Sequence, residues 1–178
     1  MQREISKMYL WAIAKIIFVL IAAFALFICF KNQELETGVI IFLSLLWGCV
    51  FLIYLFSGIR TIITGAKQAK EYMANSTYSV QRLDEEYNNA QSFGRIHVGN
   101  NHVFANASNQ FYIIPLKDIE NVWVKNYRAN PLKARKGYYY LYIQVKDFTK
   151  NIKIYYALKG NAYAAQDCIM QSISSHNV

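Results

Sequence analysis

Residues 38–59 read GVIIFLSLLWGCVFLIYLFSGI, without one charged side chain. A helix of this length rises about 33 Å at roughly 1.5 Å per residue, enough for the hydrocarbon core of a bilayer. A second apolar run, MYLWAIAKIIFVLIAAFALFICF, covers residues 8–30. Lys15 interrupts it near the N-terminal end, where its ammonium can extend to the interface, and Tyr9 and Trp11 suit the headgroup level. Arg3 and Lys7 before this run, with Ala23-Phe24-Ala25 inside it, resemble a signal peptide and its cleavage site. The apolar stretch nevertheless continues five residues past Ala25, beyond the usual h-region of about 7–15 residues. Both runs are therefore read as transmembrane helices.

The hydrophobic content of 54% is concentrated in these two runs, which leaves the part after Arg60 with the composition of an ordinary globular domain. A chain of 178 residues then has room for a membrane hairpin and one small domain. Arg3, Lys7 and Lys15 flank the first span, and Arg60, Lys67 and Lys70 follow the second. The connecting KNQELET carries Lys31 against Glu34 and Glu36. This bias predicts a multi-pass protein of the cell (inner or plasma) membrane, with both termini cytoplasmic and a short loop outside. Cys29, Cys49 and Cys168 match no zinc or redox spacing and are read as packing residues.

Residues 61–92 are expected to form a helical connector between hairpin and domain. Ile59, Ile62, Ile63, Ala66, Ala69 and Met73 recur at helical steps, with Gly65 and the NST at 75–77 as bend and break. Val80, Leu83, Tyr87 and Ala90 make a second stripe that would dock on the following domain. Asp84, Glu85 and Glu86 lie off this stripe and read as a solvated helix face.

From Phe93 the period changes to two. RIHVG, HVFANA, QFYIIP, DIENVWVKNY, YYYLYIQV and IKIYYA predict six antiparallel strands, and a helix from an Asn161 N-cap to about Ser175 closes the chain. The helix presents Ala162, Ala165, Cys168, Ile169 and Ser172 or Ile173 inward. The expected fold class is a membrane α-helical hairpin plus an α+β cytoplasmic domain over 93–178, a curled antiparallel sheet or open barrel closed by a C-terminal helix.

Gly94 to Val124, GRIHVGNNHVFANASNQFYIIPLKDIENVWV, resembles the strand–turn–strand pattern of bacterial pleckstrin-homology-like (PH-like) domains. In these a strand ending in IP leads into L-x-D-I-x-x-V, matched here by Ile114, Pro115, Leu116, Asp118, Ile119 and Val122. The order of strands and final helix agrees over roughly 93–175. The resemblance implies a bacterial scaffold that binds lipids or proteins, with no chemistry of its own. The turn VGNNH, where phosphoinositide-binding members usually hold their ligand, lacks lysine and arginine. Specific inositide recognition is therefore not implied.

Between Glu120 and Asp147 there is no acid, while Lys125, Arg128, Lys133, Arg135, Lys136 and Lys146 are cationic. Pro131 and Gly137 mark a loop. In the strand beyond it Tyr139, Leu141, Ile143 and Val145 read as core. Tyr138, Tyr140, Tyr142, Gln144 and Lys146 read as an outward face, continued by Lys153 and Tyr155 if the next strand pairs as a hairpin. Lys125, Arg128, Lys133, Arg135, Lys136, Tyr138, Tyr140 and Tyr142 are thus the candidate partner- or lipid-facing residues. Single-strand nucleic-acid binders also combine cations with aromatics, but the chain has no recognised nucleic-acid module and no nucleic-acid partner is expected. Basic groups near an anionic leaflet gain about 1 kcal/mol each, and tyrosine with arginine is what interface cores favour.

Nothing points to catalysis. The chain has no Gly-rich phosphate loop, no G-x-S-x-G and no H-E-x-x-H. His97 and His102 flank the VGNN turn without a carboxylate near them in sequence and read as surface strand histidines. A non-enzyme without cofactor or metal is expected: a membrane-anchored cytoplasmic binding module, an adaptor or accessory subunit of a membrane complex. The alternative is a lipid-surface sensor that orients itself on anionic inner-leaflet headgroups through its basic face. Membrane lipids, another membrane protein or a second copy of the chain are the expected partners. Gly38, Ser44, Gly48, Cys49, Ser57 and Gly58 offer small residues for helix packing.

Overall fold

The computed structural model describes residues 1–32, 37–107, 109–127, 138–146 and 148–176. The chain divides into a helical unit, Gln2–Gly65, and a second unit that takes in Ala66–Val178.

The helical unit holds α1 (Gln2–Asn32) and α2 (Thr37–Thr64). The stretch Gln2–Leu26 of α1, and a second stretch that begins at Ser44 in α2, are long and apolar enough to cross a membrane. The two helices pack on each other, and Ala12 and Val19 are buried on α1. Gly58 lies so close to α1 that an added Cβ would stand 2.8 Å from Ile16 and 3.3 Å from the Ala12 carbonyl oxygen. Of the expected small packing residues Gly58 has this role, whereas Gly48 has open space around it.

In the second unit α3 (Lys67–Asn75) and α4 (Val80–Asn89) come first. Gly65 ends α2 as the sequence predicts, and its amide bonds back to the Thr61 carbonyl at 2.9 Å. Ser79 caps α4, its hydroxyl accepting from the Arg82 amide at 3.2 Å, which satisfies one of the free N–H groups of the first turn. Four strands follow as one antiparallel sheet: β1 (Gln91–Ser92), β2 (Ile96–Val98), β3 (His102–Ala107) and β4 (Gln110–Pro115), in that order. A 3₁₀ turn, Leu116–Asp118, leads to a second antiparallel sheet of β5 (Ile119–Tyr127), β6 (Tyr138–Val145) and β7 (Ile152–Tyr156). The last element is α5 (Lys159–His176). It begins two residues before the expected Asn161 cap, so Asn161 lies inside its first turn.

One core joins the inner faces of both sheets to α5. Ile96, Val98, Val103, Ala105 and Ile114 meet Leu141, Ile143, Ile152 and Ile154 there, with Ala162, Ala165 and Ile169 from the helix. The fold is thus α+β, with two antiparallel sheets and a C-terminal helix. The short β1, paired with β2, adds a seventh strand to the six read from the sequence.

The outer faces of the two sheets differ. On the first, Phe104, Ile113 and His102 are fully buried although they point away from the shared core, because α3 and α4 lie over them. Leu83 and Ala69 are buried in this layer, and the Tyr87 ring meets Phe104 edge-on at 5.3 Å. The Gln68 side-chain amide bonds the Ile113 carbonyl at 2.8 Å and the Ile113 amide at 2.9 Å, so it pairs β4 as a neighbouring strand would. Most of residues 61–92, expected as a connector, therefore packs into the same compact unit as the sheets. On the second sheet the corresponding face holds the tyrosines of β6.

Candidate partner-binding face

The register of the second sheet builds this face. β5 pairs β6 with Trp123 opposite Tyr142, Lys125 opposite Tyr140 and Tyr127 opposite Tyr138. β6 pairs β7 with Tyr140 opposite Tyr155 and Tyr142 opposite Lys153. Because side chains alternate along a strand, burying Leu141, Ile143 and Val145 in the core turns Tyr138, Tyr140 and Tyr142 outward. The hairpin continuation through Lys153 and Tyr155 is present as the alternation predicts.

The rings pack on one another. Trp123 and Tyr142 are stacked, with centroids 5.3 Å apart and planes 6° from parallel. Tyr140 meets Tyr127 edge-on at 5.3 Å and Tyr155 at 5.8 Å. The Lys153 ammonium lies 3.9 Å from the Tyr140 ring centroid and 5.2 Å from that of Tyr127, within the range of cation–π attraction. Lys125 lies 5.4 Å from the Tyr127 ring centroid.

The Tyr127 and Tyr142 hydroxyls are 2.9 Å apart. Burial together with the bond to Tyr127 pushes the Tyr142 phenol up to about 12. The bond from Tyr142, with Lys125 and Lys153 nearby, holds the Tyr127 phenol below its ordinary value.

Of the residues expected to face a partner, Lys125, Tyr138, Tyr140 and Tyr142 share this surface. Arg128, Lys133, Arg135 and Lys136 lie outside the described residues. Trp123, Tyr127, Lys153 and Tyr155 complete the face. Trp123 and Tyr127 join the tyrosine strand beyond the residues expected from the sequence, and their two-residue spacing with Lys125 is the signal that places them on one face.

A second cluster corrects the reading of the histidines and the acid triplet. His102 is 1% exposed, because helices cover the outer side of β3. Its Nδ1 is 2.7 Å from Glu86 Oε2, and its Nε2 is 2.7 Å from the Tyr72 hydroxyl. Glu86 Oε1 also accepts from the amides of Asn101 and His102, at 2.6 and 2.9 Å. Glu86 is therefore no solvated face residue, and a carboxylate does stand beside a histidine. Burial alone would raise the Glu86 carboxyl, but the bonds from the His102 ring and the Asn101 amide outweigh it and hold it below the usual range. Desolvation raises the Tyr72 phenol. His97, half-buried, bonds the Tyr87 hydroxyl at 3.1 Å, and its partner across the β2–β3 pairing is Phe104.

Gly99 makes the Glu86 contact possible, since a Cβ there would stand 2.6 Å from Oε1. A cavity of about 340 Å³ beside the cluster is lined by Tyr72, Tyr78, Asn101, His102 and Lys117. With both ring nitrogens engaged, His102 ties α3 and α4 to the turn before β3. Among the described residues, no three His, Cys, Asp or Glu side chains are grouped to hold a metal ion.

Two apolar helices and a two-sheet α+β unit with an aromatic outer face define the class. The chain belongs to the family described as a domain of unknown function, DUF6709, whose pattern matches residues 64–177. That match begins two residues before Ala66, where the second unit begins, and includes α3 and α4. No curated protein and no solved structure matches the chain.

Proposed function

We propose that this chain is a membrane-anchored binding module that acts as an adaptor or accessory subunit of a membrane complex, without catalysis of its own. α1 and α2 span the cell membrane with both termini cytoplasmic, and residues 66–178 form a PH-like unit at the inner leaflet. The Lys/Arg bias around the spans supports that orientation. Four strands, then three, then a closing helix support the PH-like reading.

The observation that carries the proposal is the contrast between the two sheets. One has its outer face covered by α3 and α4. The other presents Trp123, Tyr127, Tyr138, Tyr140, Tyr142 and Tyr155, and no described element of the second unit lies over these rings. Aromatic side chains contribute most to binding where a partner desolvates them.

The test is purification of the full-length protein from its native membranes in a mild detergent, beside the variant Tyr138→Ser/Tyr140→Ser/Tyr142→Ser. A stoichiometric companion protein is expected with the wild type and is lost in the variant while the fold, by circular dichroism, is kept. A wild-type protein that comes out alone contradicts the proposal.

A further inference from the structure

The aromatic face also carries charge, and its sign says what kind of partner fits. Lys125 and Lys153 lie among its rings. Its one described carboxylate, Glu120, is at the far end and accepts from the Gln144 amide at 2.6 Å. From Asn121 to Lys146 the sequence contains no acid at all. A second copy of the chain would bring the same cations to the same place, and such like charges oppose association.

We propose that the outer face of β5–β6–β7 takes an acidic segment of a protein partner, its carboxylates against Lys125 and Lys153 and its apolar groups on the tyrosine and tryptophan rings. The inference rests on the docking reading above and adds the partner's chemistry.

Two features fit a carboxylate. Lys153 is held over Tyr140, with Tyr127 and Tyr142 at 5.2 and 5.8 Å, so a flexible cation is placed before the partner arrives. Ordering such a side chain on binding would otherwise weaken the complex. Lys125 stands on β5, across β6 from Lys153, beside the same Tyr127 ring, giving two cations on one patch. The dimensions also fit. Three strands at about 4.8 Å spacing and roughly 3.3 Å per residue make a strip that accepts one extended segment or one helix.

The lysines set this apart from a lipid surface. They lie down on the rings instead of reaching outward as snorkelling cations do, so their charge is presented at the level of the aromatic plane.

The experiment uses the full-length protein in its native membranes, with a benzophenone amino acid replacing Tyr155 at the margin of the face. Photolysis is followed by mass spectrometric mapping of the adduct. The expected product is a protein adduct whose linked peptide is rich in Asp or Glu. Its yield should fall about tenfold in Lys125→Gln/Lys153→Gln and persist in Lys153→Arg, as loss of charge complementarity requires. A protein adduct that survives neutralisation of both lysines, or one on a peptide without acids, overturns the acidic-segment proposal and leaves the docking reading standing. Adducts to lipid alone, or none, overturn both.

Discussion

Glu86 shows how much one side chain can hold together. Its carboxylate meets the His102 ring and two backbone amides, and these contacts require Gly99 to lack a Cβ. Glu86→Gln should destabilise the protein at neutral pH by about 1–3 kcal/mol, the cost of disrupting buried charge-assisted bonds, measured by urea unfolding. Gly99→Ala should cost a similar amount by displacing the same carboxylate. The two changes together should then cost clearly less than their sum, since both remove one set of contacts. The pH dependence has a definite sign. The folded carboxyl titrates below its ordinary 4.5, so its contribution is complete above that value and is lost as pH falls through the lower folded value. Wild-type stability should therefore fall more steeply than that of Glu86→Gln below about pH 4.5. Parallel curves would contradict this.

Among the elements, α3 and α4 decide where the folding unit begins. Their sequence shows the helices and the docking stripe, because Leu83 and Tyr87 follow the 3.6 period. It does not show that they complete the sheet. Gln68 binds a strand 45 residues away, and no local pattern carries such a partner. The same holds for His102. In HVFANA the run of buried residues marks a strand covered on both faces, but only the fold says that helices do the covering. The β6 face was legible for the opposite reason. YYYLYIQV alternates cleanly, and period two alone separates Leu141 and Ile143 from Tyr140 and Tyr142. The charged half of the expected site rests on residues 128–136, which lie outside the described structure. A fragment of residues 66–178 should therefore unfold cooperatively in denaturant. One starting at residue 93 lacks Gln68, Tyr72, Leu83 and Glu86 and leaves Phe104 and Ile113 bare. It should fail to give a cooperative transition, since the loss of Leu83 alone is worth about 2–5 kcal/mol. If the shorter fragment unfolds as cooperatively and as late, α3 and α4 are mere connectors.

At the scale of the whole molecule, the proposal joins two helices apolar enough to cross a membrane to an aromatic sheet face over which no described element of the second unit lies. Hydroxyl-radical footprinting of Trp123, Tyr140 and Tyr155 separates the alternatives in one comparison: the protein in its native membranes against the same protein purified and reconstituted in the same lipids. The account predicts protection in native membranes and loss of that protection after purification, because a protein partner has been removed. Protection in both preparations would mean that lipid covers the face, and exposure in both would mean that nothing does. Either result would contradict the claim that this sheet is a docking surface for another protein.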